Sequence, residues 1–264
     1  MEKLKNVNNA KWSILALFLL GGLFALSAYL EGYFDPIVKS NKFLLFFAVV
    51  LIICLLTSLN VNSNFFVWLL ILSFFIGLIT QIIGTFNNLW IYKETAKSYV
   101  SAGFLWAFSA ATMLGLSLAI KKLFPVIDRK ANNVLCLMVL FLIIPIFLGK
   151  LRTGMNLNFW VFYFPLFVFG VVATYRLKFS VLLSLVLAAW IMGNVSEYMG
   201  SSIGLWRFCA TPEGSETARS IACWSPPLYL TFGCWPLIFL TQMGLSFFLS
   251  QEHLNMRSED KANL

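Results

Sequence analysis

The sequence predicts an all-α protein, a polytopic transmembrane helix bundle of about eight spans arranged as two parallel four-helix repeats. Three observations predict it. Of 264 residues, 60% are hydrophobic, 27 are Phe and only 11% are charged, whereas about a quarter of a soluble domain is charged. Eight apolar runs reach or approach the ~20 residues that a spanning helix needs. The third and seventh of those runs read as copies of one another.

The runs cover roughly 12–34, 42–60, 65–88, 101–120, 134–149, 157–175, 179–206 and 226–249, which leaves little chain for a soluble domain. The first begins near Trp12 and, although Ala25-Leu26-Ser27 is a small-x-small triplet before Glu31, it is expected to be a retained span and not a signal peptide. The expected organisation is a first transmembrane repeat over 1–125, a second over 126–250 and a tail over 251–264.

The formal charge is +8, but the cations are scattered in ones and twos among short loops, as in most inner-membrane proteins, and not massed as a nucleic-acid face. No nucleic acid is therefore expected as a partner; the lipid bilayer is. The termini and the loops near 61–64, 121–133 and 176–178 hold 11 Lys and Arg, against 8 in the alternate loops. Cationic loops stay inside, which predicts a multi-pass protein of a bacterial inner membrane with both termini cytoplasmic. The 207–225 loop then lies outside, and its Cys209 and Cys223 are either disulfide partners on an oxidising face or two reduced thiols near helix ends. Cys54, Cys136 and Cys234 lie in apolar runs and read as small packing residues.

A constant offset of 116 places GLITQIIGTFNNLWIY (77–92) over GNVSEYMGSSIGLWRF (193–208). Gly77 meets Gly193, Gly84 meets Gly200, Leu89 meets Leu205 and Trp90 meets Trp206, while Gln81 faces Glu197 and Tyr92 faces Phe208. An even number of spans per unit makes the copies parallel, related by an axis along the membrane normal. At about 100° per residue, Gly193, Glu197, Gly200 and Gly204 share one stripe, as do Gly77, Gln81, Gly84 and Asn88. Small residues on a stripe admit a neighbouring helix closely, so packing explains the glycines without a direct role.

Glu197 is different. It lies about 27 Å along its span, just inside the outer edge of a hydrocarbon core roughly 30 Å thick. An acidic group there is costly and marks either a site facing the bundle interior or a headgroup contact paired with Arg207 or Arg219. Asn194, one turn earlier, is positioned to hydrogen-bond the Glu197 carboxyl group. Gln81 matches it in the first half, followed by Asn87 and Asn88, and Glu31 reaches a similar depth at the end of the first span. Around that level stand Trp90, Trp206, Tyr92, Phe208, Tyr198 and Tyr229, which read either as an interfacial belt or as the walls of a pocket.

No metal and no cofactor are expected. The single histidine, His253, is in the tail, which disfavours histidine-ligated iron, haem or zinc, and neither a phosphate loop nor a nucleophile elbow occurs.

The order Glu197, Gly200, Gly204-Leu205-Trp206-Arg207-Phe208, then a polar loop and the Pro226-Pro227 opening of a further span, resembles the integral-membrane carotenoid enzymes: the heterodimer-type and fungal-type lycopene cyclases and the carotenoid hydratases. The resemblance covers about fifty residues per half. It implies duplicated multi-span units and carboxyl-initiated chemistry on a polyene. The cyclases typically follow with Pro-x-Glu-Glu, where this chain has Pro226-Pro227-Leu228-Tyr229 and Gly103-Phe104-Leu105-Trp106.

Cyclisation or hydration of a polyene begins by protonating a terminal double bond, and a carboxylic acid withdrawn from water keeps its proton to higher pH. The expected catalytic residues are Glu197 as acid and Asn194 as its orienter. Gln81, Asn88, Trp90, Tyr198, Trp206 and Arg207 are the expected substrate contacts, the aromatic rings stabilising a carbocation by about 0.5–2 kcal/mol each. The expected function is a membrane-embedded enzyme acting on a hydrophobic lipid or isoprenoid substrate. The alternatives are a small-molecule or lipid transporter, or a non-catalytic subunit bound to a membrane-protein partner.

Overall fold

The computed structural model describes residues 2–32, 34–86, 91–92, 99–123, 179–202, 206–207 and 235–250, together with residue 168. Among them are seven helices: α1 (Glu2–Leu30), α2 (Phe34–Lys39), α3 (Asn41–Asn60), α4 (Ser63–Phe86), α5 (Tyr99–Leu123), α6 (Phe179–Ser202) and α7 (Trp235–Leu249). Two dipeptides, β1 (Ile91–Tyr92) and β2 (Trp206–Arg207), form an antiparallel pair.

Five helical segments are long and apolar enough to cross a membrane: Ala10–Leu30, Asn41–Asn60, Ser63–Phe86, Tyr99–Leu123 and Ser180–Ser202; Trp235–Leu249 is a shorter apolar helix. The chain is an all-α integral membrane protein. The spans expected at 134–149 and 157–175, and the start of the last span at 226–234, lie outside the described residues.

Local chemistry sets the helix ends. Ser40 is the N-cap of α3, its hydroxyl accepting from Phe43 N at 3.3 Å. Asn62 Oδ1 accepts from Asn64 N at 2.7 Å and Phe65 N at 3.4 Å at the start of α4, satisfying amides that have no partner within the helix. Gly32, at φ 75°, turns the chain after α1 in a conformation that other residues adopt at a cost. Pro236 stands in the first turn of α7, where a missing N–H breaks no helical bond.

Glu31, expected among the polar groups converging at the outer level, caps α5 instead. It accepts from Val100 N at 3.3 Å, Ser101 N at 3.1 Å and Ser101 Oγ at 2.5 Å. A carboxylate at a helix N-terminus meets both the unpaired amides and the positive end of the helix dipole.

The core is a ring of four helices. α4 packs on α5, α5 on α6, α6 on α7, and α7 back on α4. α1 and α3 lie against this ring and turn much of their surface outward, with Trp12, Phe18, Leu45 and Ile52 exposed. In a bilayer those side chains meet acyl chains, so the exposure costs nothing. Hydroxyl pairs join helices at both levels: Ser13 Oγ donates to Ser63 Oγ at 2.9 Å, and Ser27 and Ser101 Oγ are 3.0 Å apart. Phe65 stacks on Phe247 at 4.5 Å, and Asn64 Nδ2 donates to Ser250 O at 3.3 Å, tying the foot of α4 to the end of α7.

The described part of α4 ends at Phe86 and that of α6 at Ser202, and Trp206 and Arg207 lie in a strand, not in the last turn of a helix. Their backbone pairs with Tyr92 and Ile91, respectively, which satisfies peptide groups that the helix no longer holds.

Candidate functional site

α6 carries the Gly193–Glu197 stripe into the middle of the four-helix ring. Gly193 is the reason the ring closes there: a Cβ on it would stand 2.8 Å from Cγ of Trp235 on α7. Gly77 on α4 is related in the same way to Trp106 on α5, whose Cβ and Cγ a side chain at residue 77 would overlap. The two indoles stack on each other, centroids 4.2 Å apart and planes 20° apart. Each tryptophan is thus held between its partner ring and a bare helix backbone, in the order Gly77, Trp106, Trp235, Gly193. Gly77 and Gly193 do the packing work expected of them, but what they admit is an indole.

One turn beyond each glycine stands a polar side chain: Gln81 after Gly77 and Glu197 after Gly193. Both line a single cleft beside the stacked rings, a cavity of about 50 Å³ whose apolar walls include Phe43, Phe46 and Leu105. A concave, mostly apolar surface with a few placed polar groups is the usual form of a small-molecule site. Glu197 is 8% exposed, and its Oε1 accepts from Trp235 Nε1 at 2.9 Å. The indole N–H thereby fixes one carboxyl oxygen and the side chain's rotamer. Ser196 and Ser109 complete the polar lining. The Ser196 hydroxyl is enclosed without a hydrogen-bond partner.

The expected site residues divide as follows. Glu197 and Gln81 come together at the cleft. Asn194 does not reach Glu197: its Nδ2 donates to Trp190 O at 2.8 Å, one turn back on its own helix, and Trp235 holds the carboxyl group in its place. Tyr198, expected on the aromatic wall, is 63% exposed, because one residue past Glu197 is about 100° around the helix. Asn88 and Trp90 lie outside the described residues. Trp206 and Arg207 contribute backbone to the strand pair. Among the described residues no group of three or more His, Cys, Asp or Glu could hold a metal ion.

Sequence reasoning missed Trp106, Trp235, Ser109, Ser196, Phe43 and Phe46. Trp106 and Trp235 are 129 positions apart, so an alignment at a constant offset of 116 does not pair them; the stretch of sequence between motif and last span is longer in the second half. The available signal was a single tryptophan in the first half of each helix that follows a copy of the motif.

These features define a class: an integral membrane protein of apolar helices with a carboxyl-bearing, tryptophan-walled cleft inside the bundle. Comparison with protein-family models, with curated proteins and with solved structures finds no match to this chain.

Proposed function

We propose that this protein is a membrane-embedded enzyme acting on an isoprenoid or other lipid, with Glu197 as the acid that protonates a carbon–carbon double bond. The observation that carries the reading is Glu197 itself, 8% exposed in an apolar span, hydrogen-bonded to Trp235 and lining the cleft. Ionisable groups at such positions face interior sites by default. The resemblance of residues 193–208 to the carotenoid cyclases and hydratases points the same way.

The proposal includes eight spans in two parallel repeats, with both termini cytoplasmic. The strand pair supports it: Ile91 pairs with Arg207, the residue at the same offset of 116 that relates the two sequence copies. Equivalent residues paired antiparallel are what a local two-fold axis between the halves requires. The alternating Gly77, Trp106, Trp235, Gly193 stack obeys the same axis.

Chemically, the Glu197 proton passes to the CH carbon of the polyene's terminal double bond, whose π electrons form the new C–H bond and leave a tertiary cation on the dimethyl-bearing carbon beside the indole rings. Loss of a proton after ring closure, or capture of water followed by loss of a proton, returns the carboxyl group to its starting state. The test is turnover in proteoliposomes made up in D2O with an acyclic isoprenoid polyene. The expected product keeps the substrate's composition or gains one water, and carries one deuterium on the protonated carbon. Recovery of unchanged, deuterium-free polyene across a series of chain lengths contradicts the proposal.

A transport reading draws on Gln242, which is 0% exposed on α7 with neither amide atom hydrogen-bonded. An unpaired amide inside a span suits a path that water or a solute enters. Ligand uptake into sealed vesicles without chemical change distinguishes it.

A further inference from the structure

The two tryptophans that close the ring are equivalent in packing and different in hydrogen bonding. Trp235 donates to Glu197. By the same relation Trp106 would donate to Gln81, yet neither Trp106 nor Ser109 makes a side-chain hydrogen bond among the described residues. Both residues line the cleft, as does Ser196, whose hydroxyl is enclosed and unpartnered.

An indole N–H is a donor only, and a serine hydroxyl can donate or accept. Buried donors left unmet are expensive, and more so where no water competes. Of the three, the Ser196 hydroxyl is the enclosed, unpartnered atom, while Trp106 and Ser109, 5% and 6% exposed, line the same cleft; together they offer an acceptor atom a set of donors. Their chemistry is wrong for a ligand that is hydrocarbon along its whole length, which would seal the N–H and both hydroxyls against carbon. It suits a chain whose buried end carries a hydroxyl or carbonyl oxygen. Such an oxygen accepts from Trp106 Nε1–H and from one serine, while Phe43, Phe46 and Leu105 cover the adjoining carbons.

We infer that the cleft recognises the oxygen-bearing end of a lipid, with Trp106 and Ser109 as the specificity-determining residues and Glu197 on the opposite, reactive side. The inference rests on the reading of the cleft as the ligand site, and narrows its ligand class from any isoprenoid to an oxygenated one.

Farnesol and farnesene share an isoprenoid skeleton and differ by the hydroxyl, so they isolate this recognition. In detergent micelles, with tritiated farnesol as the probe and each unlabelled compound as competitor, the wild-type chain should bind farnesol roughly three- to tenfold more tightly, the range expected of a net hydrogen bond. Trp106→Phe keeps a ring on the Trp235 stack and deletes the N–H. It should bring the two compounds to within twofold, chiefly by weakening farnesol binding. Ser109→Ala should narrow the preference in the same direction without disturbing the stack, and keeps the test sound should the tryptophan variant fold poorly. Equal binding of the two compounds by the wild-type chain overturns the inference while leaving the acid role of Glu197 to its own deuterium test. A preference that survives both substitutions also overturns it. Failure of both compounds to bind removes this inference together with the reading of the cleft as a ligand site.

Discussion

Replacing Gly77 by valine is expected to abolish the folded bundle, and Gly193→Val to do nearly the same. A Cβ at residue 77 would overlap Cβ and Cγ of Trp106 and stand 2.8 Å from its Cδ1; at residue 193 it would stand 2.8 Å from Cγ of Trp235. Neither indole can withdraw, because each is pressed against the other at 4.2 Å. Inserting groups into a packed core typically costs about 1–3 kcal/mol, and more where the neighbours cannot give. Here the displaced ring also lies at the contact of four helices. One comparison separates this from a general intolerance of glycine substitution. A Cβ at residue 22 would meet nothing within 4 Å, so Gly22→Val should fold normally. At Gly115 the nearest atoms are the Thr57 hydroxyl, hydrogen-bonded to Ile53 O, and an Ile53 methyl, both on branched Cβ atoms that do not turn aside freely, so Gly115→Ala should destabilise as Gly77→Ala does. Monodispersity after detergent extraction and the midpoint of thermal unfolding measure every one of these variants.

Trp235→Ala is expected to destabilise the protein by about 3–5 kcal/mol, the range for removing a buried large aromatic side chain. Three losses coincide at this residue: the stack with Trp106, the contact with the Gly193 backbone and the N–H that Glu197 accepts. The last takes a donor from a carboxyl oxygen in an apolar bundle, itself worth about 1–3 kcal/mol. Trp12, 68% exposed on α1, is the control, since its replacement by alanine should move the unfolding midpoint little. A Trp235→Ala protein as stable as the Trp12→Ala protein would mean that the central stack does not hold the ring of helices together.

Membrane class and the positions of the five described long apolar helices were legible because the bilayer imposes a length and a composition that the chain states directly. Glu197 was legible for the same reason: a carboxyl group in an apolar span has few places to go. The glycine stripes read correctly as packing surfaces, since helical periodicity alone puts Gly77 and Gly193 on the faces that carry Gln81 and Glu197. What they pack against was not legible. Trp106 and Trp235 belong to other helices, and only the tertiary fold brings residues 129 apart into a stack. The choice of Asn194 over Trp235 as partner of Glu197 failed on the same ground. Proximity along a helix favours Asn194, but its amide reaches a carbonyl of its own helix, as short polar side chains commonly do. Tyr198 failed on helical rotation, and Trp206 because its backbone is in the strand pair and not in a helix.

The central claim is that the carboxyl group of Glu197, held by Trp235 in the cleft, is the acid of a proton-initiated reaction. Glu197→Gln tests it most directly. The amide nearly matches the carboxyl group in size and its oxygen can still accept from Trp235, so the bundle should extract and unfold as the wild type does. It has no acidic proton to give, and general acid catalysis contributes about 10²–10⁴-fold. The measurement is deuterium incorporated per molecule of polyene per unit time in D2O. The account predicts a fall of at least about a hundredfold in the Glu197→Gln protein with folding unchanged. Incorporation at the wild-type rate would contradict it, and would reduce Glu197 to a packing partner of Trp235.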